Sequence, residues 1–251
     1  MARIIAVANH KGGVGKTTSV ANIGAALALM GKRTLLIDLD AQQNLTFCLM
    51  GNDGEEVEVS VYDSLLGKAP LPVVNIKKNL DLIPSSIDLA RAELDLNTRL
   101  SREYIPKNLL KEVADKYDYI LLDCPPSLGV ITYNAFAAAN DLFIALTAEA
   151  LPLKGLTMLE DLVAQTQEFL NRELTISGVI ITRYNNRKLN SAVVEDIAQR
   201  YGNRLFKTKV RENISVAEAP LEGKDIFEYA PDSNGAKDYR QVAEEIVERW
   251  G

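Results

Sequence analysis

Three short stretches of this 251-residue chain carry residue types whose spacing could handle a phosphorylated ligand. The first runs Ile4-Ile5-Ala6-Val7-Ala8-Asn9-His10-Lys11-Gly12-Gly13-Val14-Gly15-Lys16-Thr17-Thr18: an apolar strand, a glycine-rich turn and the start of a helix. In that setting glycines let backbone N–H groups turn inward on phosphate oxygens, and the helix N-terminus adds the positive end of its dipole. Lys16 supplies a point charge toward the β and γ phosphates of a nucleotide, and Thr17 is placed to put its hydroxyl on Mg²⁺. Lys11, Gly12, Gly13, Val14, Gly15, Lys16, Thr17 and Thr18 are the candidate ATP-binding residues of this loop. His10 stands where the general loop pattern has glycine, and it reads more readily as a packing or loop residue than as a catalytic one.

The other two stretches end in acids. Thr34-Leu35-Leu36-Ile37-Asp38-Leu39-Asp40 closes an apolar strand with carboxylates at i and i+2, which point to the same side. Such an acid can orient or deprotonate an attacking water while Mg²⁺ and Lys16 neutralise the phosphoryl group. Tyr119-Ile120-Leu121-Leu122-Asp123 is a second apolar strand closed by an aspartate, the arrangement in which a buried strand holds a carboxylate for Mg²⁺ or its water shell. A strand-end aspartate alone commonly caps a turn; beside the glycine-rich loop it gains meaning.

Residues so far apart in sequence meet only if the strands that carry them lie side by side. Apolar runs alternate with helix-period segments along the chain, which predicts an α/β fold, a mainly parallel twisted sheet with helices on both faces. The expected strands are Ile4–Ala8, Thr34–Asp38, Leu80–Pro84, Tyr119–Asp123, Asp141–Leu146 and Ile176–Thr182, with a shorter one near Arg204–Lys207. The expected helices are Lys16–Met30, Ile87–Leu100, Ile105–Lys116, Val130–Ala139, Gly155–Asn171, Ser191–Tyr201 and Ala236–Trp250. Right-handed crossovers would bring ligands to the carboxyl ends of the strands. No repeat or linker divides the sequence, so a single domain over 1–251 is expected.

Composition narrows the function. No apolar run approaches the roughly 20 residues of a membrane span, and the opening Met1-Ala2-Arg3 lacks the order of a secretory signal, so a cytoplasmic location is expected. Cys48 and Cys124 stand alone, without zinc or disulfide spacing. A net charge of −6 argues against a surface that coats nucleic acid everywhere; any DNA site must be a local patch. One exists: residues 183 to 211 hold eight basic side chains against two acids. Such a run gives DNA affinity without sequence choice, or is merely a solvated helix face and loop.

Together these residues resemble the ParA/MinD superfamily of deviant Walker-A P-loop ATPases, and within it the short, Soj-like ParA partition ATPases. The resemblance covers nearly the whole chain. It rests on Lys11-Gly12-Gly13-Val14-Gly15-Lys16-Thr17-Thr18, on Asp38-Leu39-Asp40-Ala41-Gln42-Gln43-Asn44-Leu45-Thr46 with Ala41 in place of the usual proline, and on Asp123-Cys124-Pro125-Pro126-Ser127. Glu218-Ala219-Pro220 and the stretch from Tyr229-Ala230-Pro231 to Gly235-Ala236 add to it. The resemblance implies a three-layer P-loop fold and a slow, Mg²⁺-dependent ATPase. It gives Lys11, which crosses to the partner subunit's nucleotide, Lys16 and Asp40 the catalytic roles. Thr17, Asp38 and Asp123 form the Mg²⁺ set, and Asn213 lies near the adenine. It also implies an ATP-dependent homodimer that binds double-stranded DNA non-specifically on the nucleoid and is reset by a ParB-like centromere-binding protein. The family's DNA-contacting arginine falls near Arg187, beside Lys188. Ser215 stands where a second basic residue is often found, with Arg211 nearby.

Rival readings share the nucleotide motifs. A ParA-like ATPase could position a protein cargo instead of DNA. A MinD-like membrane ATPase should end in a basic amphipathic helix, whereas Lys237 to Gly251 is acidic. A metabolic ligase would need neither Lys11 nor a basic patch.

Overall fold

The computed structural model describes residues 2–97, 99–148, 153–185 and 187–250. Strands are β1 (Arg3–Ala8), β2 (Thr34–Asp38), β3 (Val74–Lys77), β4 (Leu80–Ile83), β5 (Tyr119–Asp123), β6 (Asp141–Thr147), β7 (Thr175–Tyr184) and β8 (Leu205–Arg211). The main helices are α1 (Lys16–Leu29), α2 (Asn44–Met50), α3 (Val61–Leu65), α4 (Ala92–Leu96), α5 (Ile105–Lys111) and α6 (Val130–Ala138). They continue with α7 (Leu153–Phe169), α8 (Lys188–Tyr201), α9 (Ile214–Glu218), α10 (Ile226–Tyr229) and α11 (Asn234–Trp250). All the strands join one sheet in the order β3-β4-β2-β5-β1-β6-β7-β8, parallel except for β3 against β4.

Side-chain alternation explains the three layers. On β1, Ile5 and Val7 face one side, where α1, α2, α10 and α11 bury Ile23, Leu27, Leu45, Ile226, Tyr239 and Val242. Ala6 and Ala8 face the other, where Leu65, Leu110, Phe136, Leu159 and Ile197 pack from the helices between α3 and α8. A strand buried on both faces must be apolar throughout, which is why the central strands read as continuous hydrophobic runs. Helix α1 lies close on β2: a Cβ at Gly24 would stand 2.6 Å from a Leu36 methyl, so only glycine lets the helix that follows the loop sit this near the sheet.

The expected strands are all present, and the structure adds β3, a half-buried, bulged edge strand of only four residues, Val74-Asn75-Ile76-Lys77, too short for its alternation to stand out. The expected helix Ile87–Leu100 divides into a 3₁₀ turn (Ile87–Arg91) and α4. Of its apolar side chains Leu89, Ala92 and Leu96 are buried while Leu94 and Leu100 face solvent, too narrow a face to hold one longer helix. The expected helix Ile105–Lys116 likewise stops at Lys111 and resumes as a 3₁₀ turn at Ala114–Lys116. At the far edge, β8 is guarded by α11: Glu245 accepts the N–H groups of Lys207 and Thr208 at 2.9 and 2.8 Å.

Candidate nucleotide site

Parallel register brings the sequence-distant groups together. Val7 of β1 pairs with Asp123, and Asp38 of β2 pairs with the same Asp123. The carboxyl ends of β1, β2 and β5 therefore meet under the loop of residues 9 to 15. The loop is pinned at both ends to neighbouring strands. The Asn9 amide donates to the Ala145 carbonyl at 2.7 Å and accepts from the Lys11 N–H at 3.0 Å. At the other end, the Thr182 hydroxyl lies 2.8 Å from the Val14 carbonyl and 3.1 Å from that of Leu146. Gly13 and Gly15 hold φ of 71° and 80°, the left-handed conformation that lets successive N–H groups converge.

Two cavities open on this loop and share Gly13, Gly15 and Thr18. The first, about 390 Å³, is walled by Gly12, Lys16, Thr17, Asp40, Phe47 and Pro126. The second, about 420 Å³, is walled by Arg183, Val210, Arg211, Asn213, Ile214 and Tyr239. Continuous pockets on the two flanks of a phosphate loop suit the triphosphate and the nucleoside of one ligand. Asn213, expected near a base, lines the second of them.

The electrostatics explain what the site wants. Lys16 is only 7% exposed, and its ammonium makes one long contact, 3.4 Å, to the Lys11 carbonyl. Burial lowers its pKa, against the pull of Asp123, Cys124 and Asp40. Asp123 is fully buried and neither carboxylate oxygen receives a hydrogen bond. Burial, then Asp38, raise its carboxyl well above the usual range; the Thr17 hydroxyl and the Lys16 charge oppose this without a hydrogen bond of normal geometry. A buried lysine short of an anion thus stands beside a buried carboxylate short of a cation. Orphaned oxygens on Asp123 next to the Thr17 hydroxyl are a hard-oxygen donor set and fit Mg²⁺.

Asp38 is differently engaged. Its Oδ1 accepts from the Asp40 N–H at 3.0 Å and its Oδ2 from the Thr46 N–H and hydroxyl at 2.9 and 2.8 Å. The Thr46 hydroxyl also accepts from the Ser85 N–H at 3.0 Å, tying β2, α2 and the end of β4 together. Burial pushes the Asp38 carboxyl up to about 6 despite these bonds. Its geometry holds the following loop, and with it Asp40, more directly than it faces an ion. Asp40 is half-buried and lines the first cavity. His10 and Lys11 are exposed on the outer turn of the loop. Cys48 and Cys124 are buried, and burial raises both thiols, Cys48 to about 12, so neither is a thiolate at neutral pH.

The basic run lies apart, along β7, α8 and β8. Arg187 is exposed and caps the N-terminus of α8, its carbonyl accepting from the N–H groups of Asn190 and Ser191. Lys188 is the first residue of that helix; its side chain lies outside the described residues. Arg211 stands elsewhere: its guanidinium clasps the buried Asp238 carboxylate at 2.6 to 3.2 Å and borders the second cavity. Thr182 is the site-building residue that motif reading missed; its signal was faint, a threonine near the end of an apolar strand. Asn9 and Thr46 lie inside the quoted motifs, but their hydrogen-bonding roles were not assigned from sequence.

Comparison with known proteins agrees with this geometry. The AAA domain family model matches residues 2–176. The chain is 44% identical to the chromosome-partitioning ATPase Soj of Treponema pallidum, over 100% of this chain and 99% of that protein. It is 43% identical to the sporulation initiation inhibitor protein Soj of Bacillus subtilis, over 98% and 99%. Among solved structures, cobyrinic acid a,c-diamide synthase from Mycobacterium smegmatis, with bound ATP analogue and magnesium, superposes with a TM-score of 0.87 at 36% identity, over 100% of this chain and 96% of that one. With the phosphate loop, the paired strand-end acids and full-length similarity to Soj proteins in hand, the chain belongs to the ParA/Soj family of P-loop ATPases.

Proposed function

We propose that this chain is a DNA-partition ATPase. It binds ATP with Mg²⁺, pairs with a second copy across the bound nucleotides and holds double-stranded DNA without sequence choice in that state. Hydrolysis, stimulated by a ParB-like centromere-binding protein, resets it, so that it works in the cytoplasm on the nucleoid. The observation that carries the reading is the buried, unsatisfied pair of Lys16 and Asp123 under a pinned glycine loop. Such burial is costly unless a ligand brings both an anion and a cation, as MgATP does.

Thr17 and Asp123 would hold the ion or its water shell, with Asp38 behind them. Mg²⁺ there supplies charge neutralisation of the β and γ phosphates. Lys16 binds the same oxygens, and the loop N–H groups orient them. Asp40, at the cavity wall, is placed to orient the attacking water. Lys11, on the exposed turn, is the residue that reaches the partner's nucleotide. The N-terminus of α8, with the exposed Arg187 and with Lys188 next in sequence, is the surface offered to DNA phosphates, since helix N-termini and exposed cations both attract them. The membrane alternative is disfavoured by α11, whose apolar residues Tyr239, Val242, Ala243 and Ile246 are spent on the sheet.

A second reading, a metabolic synthase, is favoured by the 36% identity to the cobyrinic acid a,c-diamide synthase of Mycobacterium smegmatis. Binding of random-sequence duplex DNA with ATP, ADP or no nucleotide, over a salt series, separates the two. Binding confined to ATP and falling steeply with salt is expected. No DNA binding by an ATP-loaded protein would turn the reading to the synthase.

A further inference from the structure

Nothing in the motif itself says what fixes the orientation of the loop's peptides. The peptide between Val14 and Gly15 is the point where this matters. In a trans peptide the C=O and the N–H point in opposite directions, so fixing one aims the other. The Val14 carbonyl is held by the Thr182 hydroxyl at 2.8 Å, from β7, a strand distant in sequence. Trans geometry therefore sends the Gly15 N–H to the side of the peptide opposite the Thr182 hydroxyl; Gly15 lines the first cavity, which Thr182 does not. Freed of that bond, the peptide could flip about Val14 ψ and Gly15 φ, the latter open to either sign in glycine, presenting an oxygen where a phosphate needs a donor.

The fixture is built with care. Thr182 is 2% exposed, and its side chain sits 3.5 Å from where a Cβ on Gly15 would be, in van der Waals contact with the loop. The next residue, Arg183, has φ of 49°, a conformation that residues other than glycine rarely keep unless their surroundings impose it. That turn leaves Thr182 under the loop and sets Arg183 against the second cavity.

We propose that Thr182 is a positioning residue for phosphate binding: its hydroxyl holds the Val14 carbonyl and so aims the Gly15 N–H at the nucleotide's phosphates. This rests on MgATP occupying the loop. Because a loop N–H binds the phosphates alike before and during hydrolysis, losing it removes uniform binding, which raises KM and leaves kcat unchanged. Thr182→Val keeps the branched shape and deletes the hydroxyl; Thr182→Ser keeps the hydroxyl. MgATP and MgADP affinities by titration, with steady-state ATPase kinetics, test it.

The Val variant should bind both nucleotides about tenfold more weakly and show a matching rise in KM with kcat within about twofold, as expected for one charge-assisted hydrogen bond. The Ser variant should restore the wild-type values. Affinity unchanged in the Val variant, or a fall in kcat with KM unmoved, would overturn the proposal and leave Thr182 a structural residue. If the Val variant does not fold, Thr182→Ala carries the same comparison. Failure of the unsubstituted chain to bind MgATP would overturn the ATPase reading as well, a result distinct from either variant outcome.

Discussion

The two charged regions of this molecule are built on opposite terms. Under the loop, Lys16 and Asp123 are buried and short of partners. Along β7, α8 and β8 most of the described cations are exposed and three are answered by acids: Arg200 pairs with Glu160, Arg183 with Glu212 at 3.7 Å, and Arg211 with Asp238 at 2.6 Å. None of those three acids lies within residues 183 to 211, so the charge excess read along the sequence overstates the field of the folded surface. Lys209 stacks on the Tyr184 ring, and Lys207 sits on an edge strand, where lysine also deters sheet-to-sheet association. A buried unmet charge points to a ligand because the fold has no other reason to tolerate it. An exposed cation says much less, since a surface ion pair contributes only about 0–1 kcal/mol and its neighbours can neutralise it.

That contrast is open to breaking, and the largest effect is expected at Lys16. Lys16→Ala should weaken MgATP binding by about 100-fold or more by equilibrium titration, because a charge-assisted contact in a dry site is lost. ATP affinity within about threefold of wild type would sink the role given to Lys16. Asp40→Ala should instead keep nucleotide affinity within about threefold while hydrolysis falls by about 100-fold or more, the range of a lost general base. Retained turnover would remove Asp40 from the chemistry.

Asp123→Asn sharpens the point because it sets stability against function. The raised carboxyls of Asp38 and Asp123 mean that, above the ordinary value of 3.8, the folded protein holds protons the unfolded chain has released. Stability of the nucleotide-free protein should therefore fall as pH climbs from about 4 through about 6, where Asp38 titrates, and continue to fall while Asp123 ionises. Asp123→Asn should flatten that decline and raise neutral-pH stability by about 1–3 kcal/mol in denaturant unfolding, while abolishing the gain that Mg²⁺ adds to ATP binding. An unchanged pH profile in the variant would show that Asp123 carries no unmet charge.

How much of this could be read from the sequence follows the same divide. Strands that end in Asp38 and Asp123 were legible because a doubly buried strand has to be apolar and its closing acid is then conspicuous. The loop was legible because only glycines serve at its positive φ positions. Thr182 was not, nor were the roles of Asn9 and Thr46 within their motifs, since each is a single ordinary polar residue whose meaning comes from a partner brought in by the sheet; Thr182 and Val14 are 168 positions apart. The shift of Arg211 from the basic run to Asp238 was hidden for the same reason. Strand β3 escaped because an edge strand need bury little.

The smallest expected effect is the one that best separates the two kinds of cation. Arg187 and Arg211 lie in one basic run, yet Arg211 balances a carboxylate whose side chain is 5% exposed and Arg187 is exposed without a described acidic partner. Arg211→Ala should leave the Asp238 charge unpaired and lower the unfolding free energy by about 1–2 kcal/mol, discounted for the half-exposed guanidinium, with DNA affinity at most about twofold changed. Arg187→Ala should leave stability within about 0.5 kcal/mol and reduce the salt slope of ATP-dependent DNA binding by about 1, the mark of one lost phosphate contact. Both quantities come from the same two variants, by denaturant unfolding and by DNA titration over a salt series. If Arg211→Ala lost DNA binding at unchanged stability, its bond to Asp238 would be one that DNA replaces, and the exposed margin would have to be counted as a single surface.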